Sequence, residues 1–262
     1  MTYGFVFSAA AALVLGGYII GVKRYFSHYP PSLFVLLTYI IAIIWYLPVA
    51  VFVVPVEQLV PIIGIHSATV LLSTAGFNAL ALFAFYRSLA IGDVSYIAPI
   101  SKIIPVFVLP LEVLLLGQRL SPLQVAGVVV TTAAVYVANY QQGSLLAPLF
   151  HLFQKKSALL ALASAAAFAV VDIGKRVSMQ ELGIAPEGFV ITMLILVATL
   201  ISPSALTYRD AVDWWDDRRL LAIAGLTLVT GQHLVAVAFE TLPASVVSPV
   251  VNTQAIIAVL LG

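Results

Sequence analysis

The chain is a succession of apolar runs, each about as long as a helix needs to be to cross a lipid bilayer. A hydrocarbon core of about 30 Å takes about 20 residues of α-helix. Runs on that scale recur at residues 5–22, 33–54, 67–91, 94–116, 123–139, 158–177, 188–202, 220–239 and 246–262. Backbone amides in lipid must find partners inside the protein, so only helices and closed barrels span it. Barrel strands alternate apolar and polar residues, and these runs do not. An all-α membrane fold follows. Hydrophobic residues make up 62% of the 262 and charged residues 9%, against roughly 25% charged in a soluble domain. The lipid bilayer is therefore a partner of most of the surface, and a multi-pass protein of the plasma (cytoplasmic) membrane is expected.

The remaining composition excludes more than it assigns. A net charge of +1 with no basic cluster gives no nucleic-acid partner. Absence of cysteine removes disulfides and thiolate metal sites. Met1-Thr2-Tyr3 carries no basic n-region, so the first apolar run reads as a membrane helix, not a cleaved signal. Turn residues punctuate the runs at Pro30-Pro31, Pro55, Pro61 and Ser121-Pro122, and the seventh run is expected to end at Pro203.

Two stretches 150 residues apart look like copies: residues 88–99 and 238–249 align without a gap, Ser95 over Ser245 and Pro99 over Pro249. Gly21-Val22-Lys23-Arg24 likewise matches Ile173-Gly174-Lys175-Arg176. The chain thus divides into a first repeat over 1–140, a linker over 141–156 and a second repeat over 157–262. Five spans per repeat is an odd number, so the second copy must enter the membrane inverted, with a substrate site between the two. At that offset Gly262 falls opposite Glu112. The end of the ninth helix and all of a tenth are expected to be missing, by truncation, because a chain ending inside the bilayer leaves carbonyls unsatisfied.

The order of motifs resembles the EamA repeat of the drug/metabolite transporter superfamily. It is carried by Lys23 at the end of the first span, an Ala-rich third span leading into Asp93-Val94-Ser95-Tyr96-Ile97-Ala98-Pro99, then Pro105-Val106-Phe107, Leu116-Gly117-Gln118-Arg119-Leu120-Ser121 and Gln124-Val125-Ala126-Gly127-Val128. Gln118 departs from the pattern, which has an acidic residue there. The resemblance implies ten helices in two inverted repeats, a central cavity, alternating access and small metabolites or drugs as substrates, often moved outward.

Polar residues inside the spans are the candidate site, since charge at a helix centre costs about 2.5–3.5 kcal/mol on insertion scales. Lys102 lies between Pro99 and Pro105; with the aligned Pro249, these prolines mark expected helix breaks that free carbonyls one turn back. A cation there suits an anionic substrate group, and snorkelling or a fold-fixing salt bridge is its structural alternative. Glu112 stands ten residues on, about 15 Å of helix away. It either partners another helix, carries a proton or hydrates near the interface. Asp172 is a second proton-coupling candidate, although Lys175 and Arg176 at i+3 and i+4 suit local neutralisation. His233 is a third, able to relay a proton, bind substrate or simply pack. Asn78, Asn252 and Gln254 are substrate-binding candidates or helix–helix hydrogen-bonding residues. Tyr39 and Tyr96 are likewise candidates, while Trp45, Tyr46 and Tyr86 line a pocket or anchor helix ends. The stretch 209–219 holds four aspartates, but Trp214-Trp215 and balanced charge fit an interfacial loop or short surface helix better than a metal site.

Arg119, Lys175 and Arg176 lie on the N-terminal side; Lys23, Arg24, Arg87, Lys155, Lys156, Arg209, Arg218 and Arg219 lie opposite. That balance favours the opposite side as cytoplasmic, whereas the resemblance implies an inside N-terminus. A secondary carrier of a small polar or amphipathic metabolite, meeting an anionic group through Lys102, fits these residues. A proton-coupled exporter of cationic drugs using Asp172 or Glu112 is the alternative, weakened by the lack of any acid between Met1 and Lys23. No enzyme constellation, ion-selectivity motif or phosphate-binding loop is present in the sequence, and neither a cofactor nor a metal is called for. A small-molecule substrate is the expected partner, and a homodimer is left open.

Overall fold

Apolar runs bounded by proline, glycine and charged residues fold as helices, and no strand occurs among the described residues. The structure is a computed structural model describing residues 2–53, 64–92, 97, 100–101, 103–119, 121–122, 125–127, 129, 155–254 and 257. The helices are α1 Thr2–Tyr25, α2 Pro31–Val53, α3 Ile65–Ile91, α4 Ile104–Leu116, α5 Lys156–Arg176, α6 Pro186–Leu206, α7 Arg218–Thr241 and α8 Ala244–Asn252, with a π-helical turn Val177–Glu181 continuing α5. Six of them, α1, α2, α3, α5 with its π turn, α6 and α7, are long and apolar enough to cross a membrane. The expected span at 123–139 lies almost wholly outside the described residues, as do most of 94–103 and the end of 246–262.

Helix ends carry the chemistry their dipoles favour. Lys23 and Arg24 close α1, where cations meet the partial negative charge of unsatisfied carbonyls, and Lys175 and Arg176 stand where α5 passes into its π turn. Pro186 opens α6 at a position whose N–H would have no partner. The expected stop at Pro203 is overturned, because α6 runs on to Leu206. Pro203 removes the amide that would serve the Thr199 carbonyl, and the Ser202 hydroxyl donates to that carbonyl instead at 2.8 Å. With its orphan served, the helix continues.

The described residues form two compact units. One draws on Met1–Gly76, Gly174–Pro243 and Val250–Gly262, the other on Phe77–Ile173 and Ala244–Pro249. Each therefore takes residues from both sequence halves. In the first unit α7 packs against α1, α2 and α6, and α6 packs along α2. Small residues allow the approach: a methyl at Gly225 of α7 would lie 2.6 Å from Ile41 Cγ2 of α2, too close for any side chain. At one end Phe26, Tyr29, Phe34, Leu221 and Ala224 make an apolar cluster. There the Tyr29 hydroxyl donates to Asp217 at 2.9 Å, with His28 Nε2 3.6 Å from the same carboxylate. Burial, then the Asp217 carboxylate, raises the Tyr29 hydroxyl above its ordinary range. Asp217 stands at the N-cap of α7 yet makes no capping bond with its side chain; Tyr29 holds it instead. Just before it Trp214 and Trp215 are exposed, with Arg218 over the Trp215 ring at 5.2 Å, and the aspartate-rich stretch is a series of turns and bends. At the other end Gln180 of the π turn donates to the Phe239 and Leu242 carbonyls, at 2.7 and 2.9 Å, serving the last turn of α7.

In the second unit Ile97, Ile100, Ala158 and Ala161 form the apolar cluster. The Ser164 hydroxyl of α5 donates to the Ala81 carbonyl of α3 at 2.9 Å.

Candidate functional site

Lys102, Tyr96 and Pro99 lie outside the described residues. Pro105 occupies the first turn of α4, which starts afresh at Ile104 after a non-helical Ile103. Pro249 lies within α8. Asn78 is half-buried on α3, Asn252 is half-buried at the last position of α8, and Gln254 is half-buried just beyond it. Asp172 is buried in α5. Tyr39 is buried in α2, two helical turns before Tyr46 and hence on the same face.

Two of the polar residues named from the sequence meet within the first unit. Tyr46 of α2 and His233 of α7 approach with the phenol oxygen 2.7 Å from the imidazole Nδ1 and the ring centroids 5.8 Å apart. Tyr46 is 4% exposed. The anchor reading of Tyr46 is therefore overturned: an interfacial anchor keeps its hydroxyl in the headgroups, whereas this one is spent on a neighbouring helix. By contrast Trp45, the next residue back on α2, is exposed, and its indole N–H donates to the Ala222 carbonyl at 3.2 Å.

Sequence reasoning missed Glu187. It sits half-buried in the first turn of α6. A carboxylate just inside an apolar run, in a chain with eleven acidic residues, was the available signal. His233 is eight residues from the end of α7, about 12 Å by helical rise. The pair thus lies well inside the bundle, and Glu187 nearer its surface.

Glu112 occupies a different environment in the second unit. It is fully buried, and the hydration reading is overturned. Its carboxylate accepts the backbone N–H of Ala244 at 2.7 Å on Oε1 and that of Ser245 at 3.1 Å on Oε2. These are the first two amides of α8, whose N-cap is Pro243. Proline has no side-chain acceptor, so a carboxylate from α4 performs the capping that Ser, Thr, Asp or Asn ordinarily performs locally. In the sequence alignment Asp93, a residue type that is able to cap, stands over Pro243. Gln118, where the repeat pattern has an acid, buries its amide oxygen with no hydrogen-bond partner among the described residues.

Comparison with known proteins places the fold. No curated protein matches the chain. A solved structure described as "Crystal structure of protein" covers 99% of this chain and is covered over 87% of its own length, with a TM-score of 0.77 at 15% identity. That likeness is one of fold alone. The model of the EamA-like transporter family matches residues 2–140. A match over more than half of the chain, joined to six helices able to cross a bilayer, makes this an integral multi-pass membrane protein that belongs to the EamA-like transporter family, within the drug/metabolite transporter superfamily.

Proposed function

We propose that the protein is a secondary carrier, not an enzyme, moving a small polar or amphipathic metabolite across the plasma membrane by alternating access. The substrate pocket lies between the two sequence repeats, with Lys102 meeting an anionic group, and Asn78, Tyr39, Tyr96, Asn252 and Gln254 lining it. Export or exchange is the direction. Family membership supports transport, and one observation supports a polar site within the bundle: the hydrogen-bonded Tyr46–His233 pair held inside it. Ionisable groups at such depth are rarely retained without a functional partner. The registers of the helices support the duplication: α3 ends at Ile91 and α7 at Thr241, aligned positions in the two copies.

A thermal-shift screen of amino acids, organic acids, nucleotide sugars and cationic dyes identifies the ligand class, and proteoliposome exchange then measures transport. Stabilisation by anionic metabolites, with exchange abolished in a folded Lys102→Ala variant, is the expected outcome. Exchange unchanged in that variant removes Lys102 from the mechanism, and stabilisation by cationic dyes alone replaces it with the drug-export reading.

A further inference from the structure

We propose that the first unit binds an anionic phospholipid where α1 closes and α7 opens, through Lys23, Arg24, Arg218 and Arg219. Lys23 and Arg24 stand in the last turn of α1, and Arg218 and Arg219 begin α7. All four are exposed, and among the described residues no carboxylate pairs with any of them. The Tyr29–Asp217 bond and the cluster around Phe26, Phe34 and Leu221 bring the two helix ends together. Both helices are long and apolar enough to cross a bilayer, which sets these ends at the headgroup layer.

The placement of these cations calls for an anion from outside the chain. The dipole of α1 favours Lys23 and Arg24 at its end, but the start of α7 favours negative charge. Arg218 and Arg219 stand there nonetheless, while the N-cap Asp217 accepts from Tyr29 at 2.9 Å and lies 3.6 Å from His28. Asp210 pairs with Arg209 at 3.2 Å, and Asp213 accepts the Trp215 backbone N–H at 3.2 Å. With Arg209 included, five cations stand with the four aspartates of the stretch 209–219, leaving one net positive charge. Two of the cations are stacked on exposed rings: Arg24 Cζ lies 5.6 Å from the Tyr25 centroid and Arg218 Cζ 5.2 Å from that of Trp215. Stacking leaves the guanidinium edge free, and that edge meets phosphate oxygens in pairs. Arg218 donates from Nη1 to the Trp215 carbonyl at 2.9 Å, and its Nε and Nη2 have no partner among the described residues. A phosphatidylcholine headgroup would bring a cation of its own to this positive surface, and an anionic headgroup does not. Trp214 and Trp215, exposed and 5.5 Å apart, fit the same boundary layer.

Tryptophan fluorescence reads the adjoining lipid directly, because acyl-brominated phospholipids quench it on contact. The chain has three tryptophans. Trp45→Phe leaves Trp214 and Trp215 as reporters of the site, and Trp214→Phe with Trp215→Phe leaves Trp45, exposed on α2, as the reference. Full-length protein is reconstituted in phosphatidylcholine vesicles holding the same fraction of either brominated phosphatidylglycerol or brominated phosphatidylcholine. One net cation at an anionic surface predicts about fivefold enrichment of phosphatidylglycerol beside Trp214 and Trp215, and none beside Trp45. Raising the salt should bring that ratio toward one with no residue altered. Arg24→Gln combined with Arg218→Gln and Arg219→Gln should do the same, in protein that melts as the parent does in phosphatidylcholine alone. Equal quenching by the two lipids at Trp214 and Trp215, an enrichment as large at Trp45, or a ratio indifferent to both salt and the triple variant overturns the proposal.

Discussion

Removing the Glu112 carboxylate should loosen the start of α8 by an amount that the geometry sets. Two backbone amides, on Ala244 and Ser245, lose their acceptor, and both residues are buried, so water cannot replace it. An unsatisfied buried donor costs about 1–3 kcal/mol, while polar contacts between membrane helices average nearer 0.6 with a maximum of about 1.7. The lost interaction of the charge with the helix terminus adds about 0.5–1. Glu112→Ala should therefore cost about 2–4 kcal/mol, toward the upper end because it also opens a cavity. Glu112→Met keeps the volume and removes only the acceptors, and should retain most of that loss. Glu112→Gln keeps one acceptor oxygen but turns an amide NH2 toward the second N–H, so about half the loss is expected. Equilibrium unfolding in mixed micelles measures all three. If Ala and Met both stayed within about 0.5 kcal/mol of the parent, the cap would contribute nothing and the argument would fail.

Two further outcomes follow from the first unit. Gly225→Leu should destabilise by about 1–3 kcal/mol through overpacking, because even its Cβ would meet Ile41 at 2.6 Å and the Ala42 backbone nitrogen at 3.1 Å; unfolding at the parental midpoint would show that α7 and α2 are not in contact there. Tyr29 holds its proton more tightly folded than unfolded, so its contribution is complete below about pH 10, the unfolded value, and fades as alkaline pH deprotonates the folded hydroxyl. Tyr29→Phe should lower stability by about 1 kcal/mol at neutral pH and flatten the alkaline decline, and a pH–melting profile parallel to that of the parent would refute this.

Hydropathy located α1, α2, α3, α5, α6 and α7 to within a few residues, since burial in lipid selects on the mean apolarity of a whole turn and tolerates variation within it. Pro203 misled because its effect depends on Ser202, whose hydroxyl serves the freed carbonyl; proline rules take no account of the neighbour. His233 was legible as a polar residue in an apolar run. Its partner was not, because Tyr46 is 187 residues away and tyrosine in a membrane helix reads first as an anchor. The capping role of Glu112 was hidden for the same reason: no local pattern links a carboxylate to amides on another helix. Glu187 passed unnoticed at a helix start, where acids are commonplace.

The long reach of Glu112 also sets a schedule for assembly. The carboxylate and the Ala244 amide are 132 residues apart, and a ribosome adding about 5–20 residues per second needs roughly ten seconds to bridge that interval. During that time α4 must be accommodated by the insertion machinery before its two amides exist. A nascent chain arrested between these positions holds a carboxylate without its amide partners on α8, and lengthening the delay should increase its degradation.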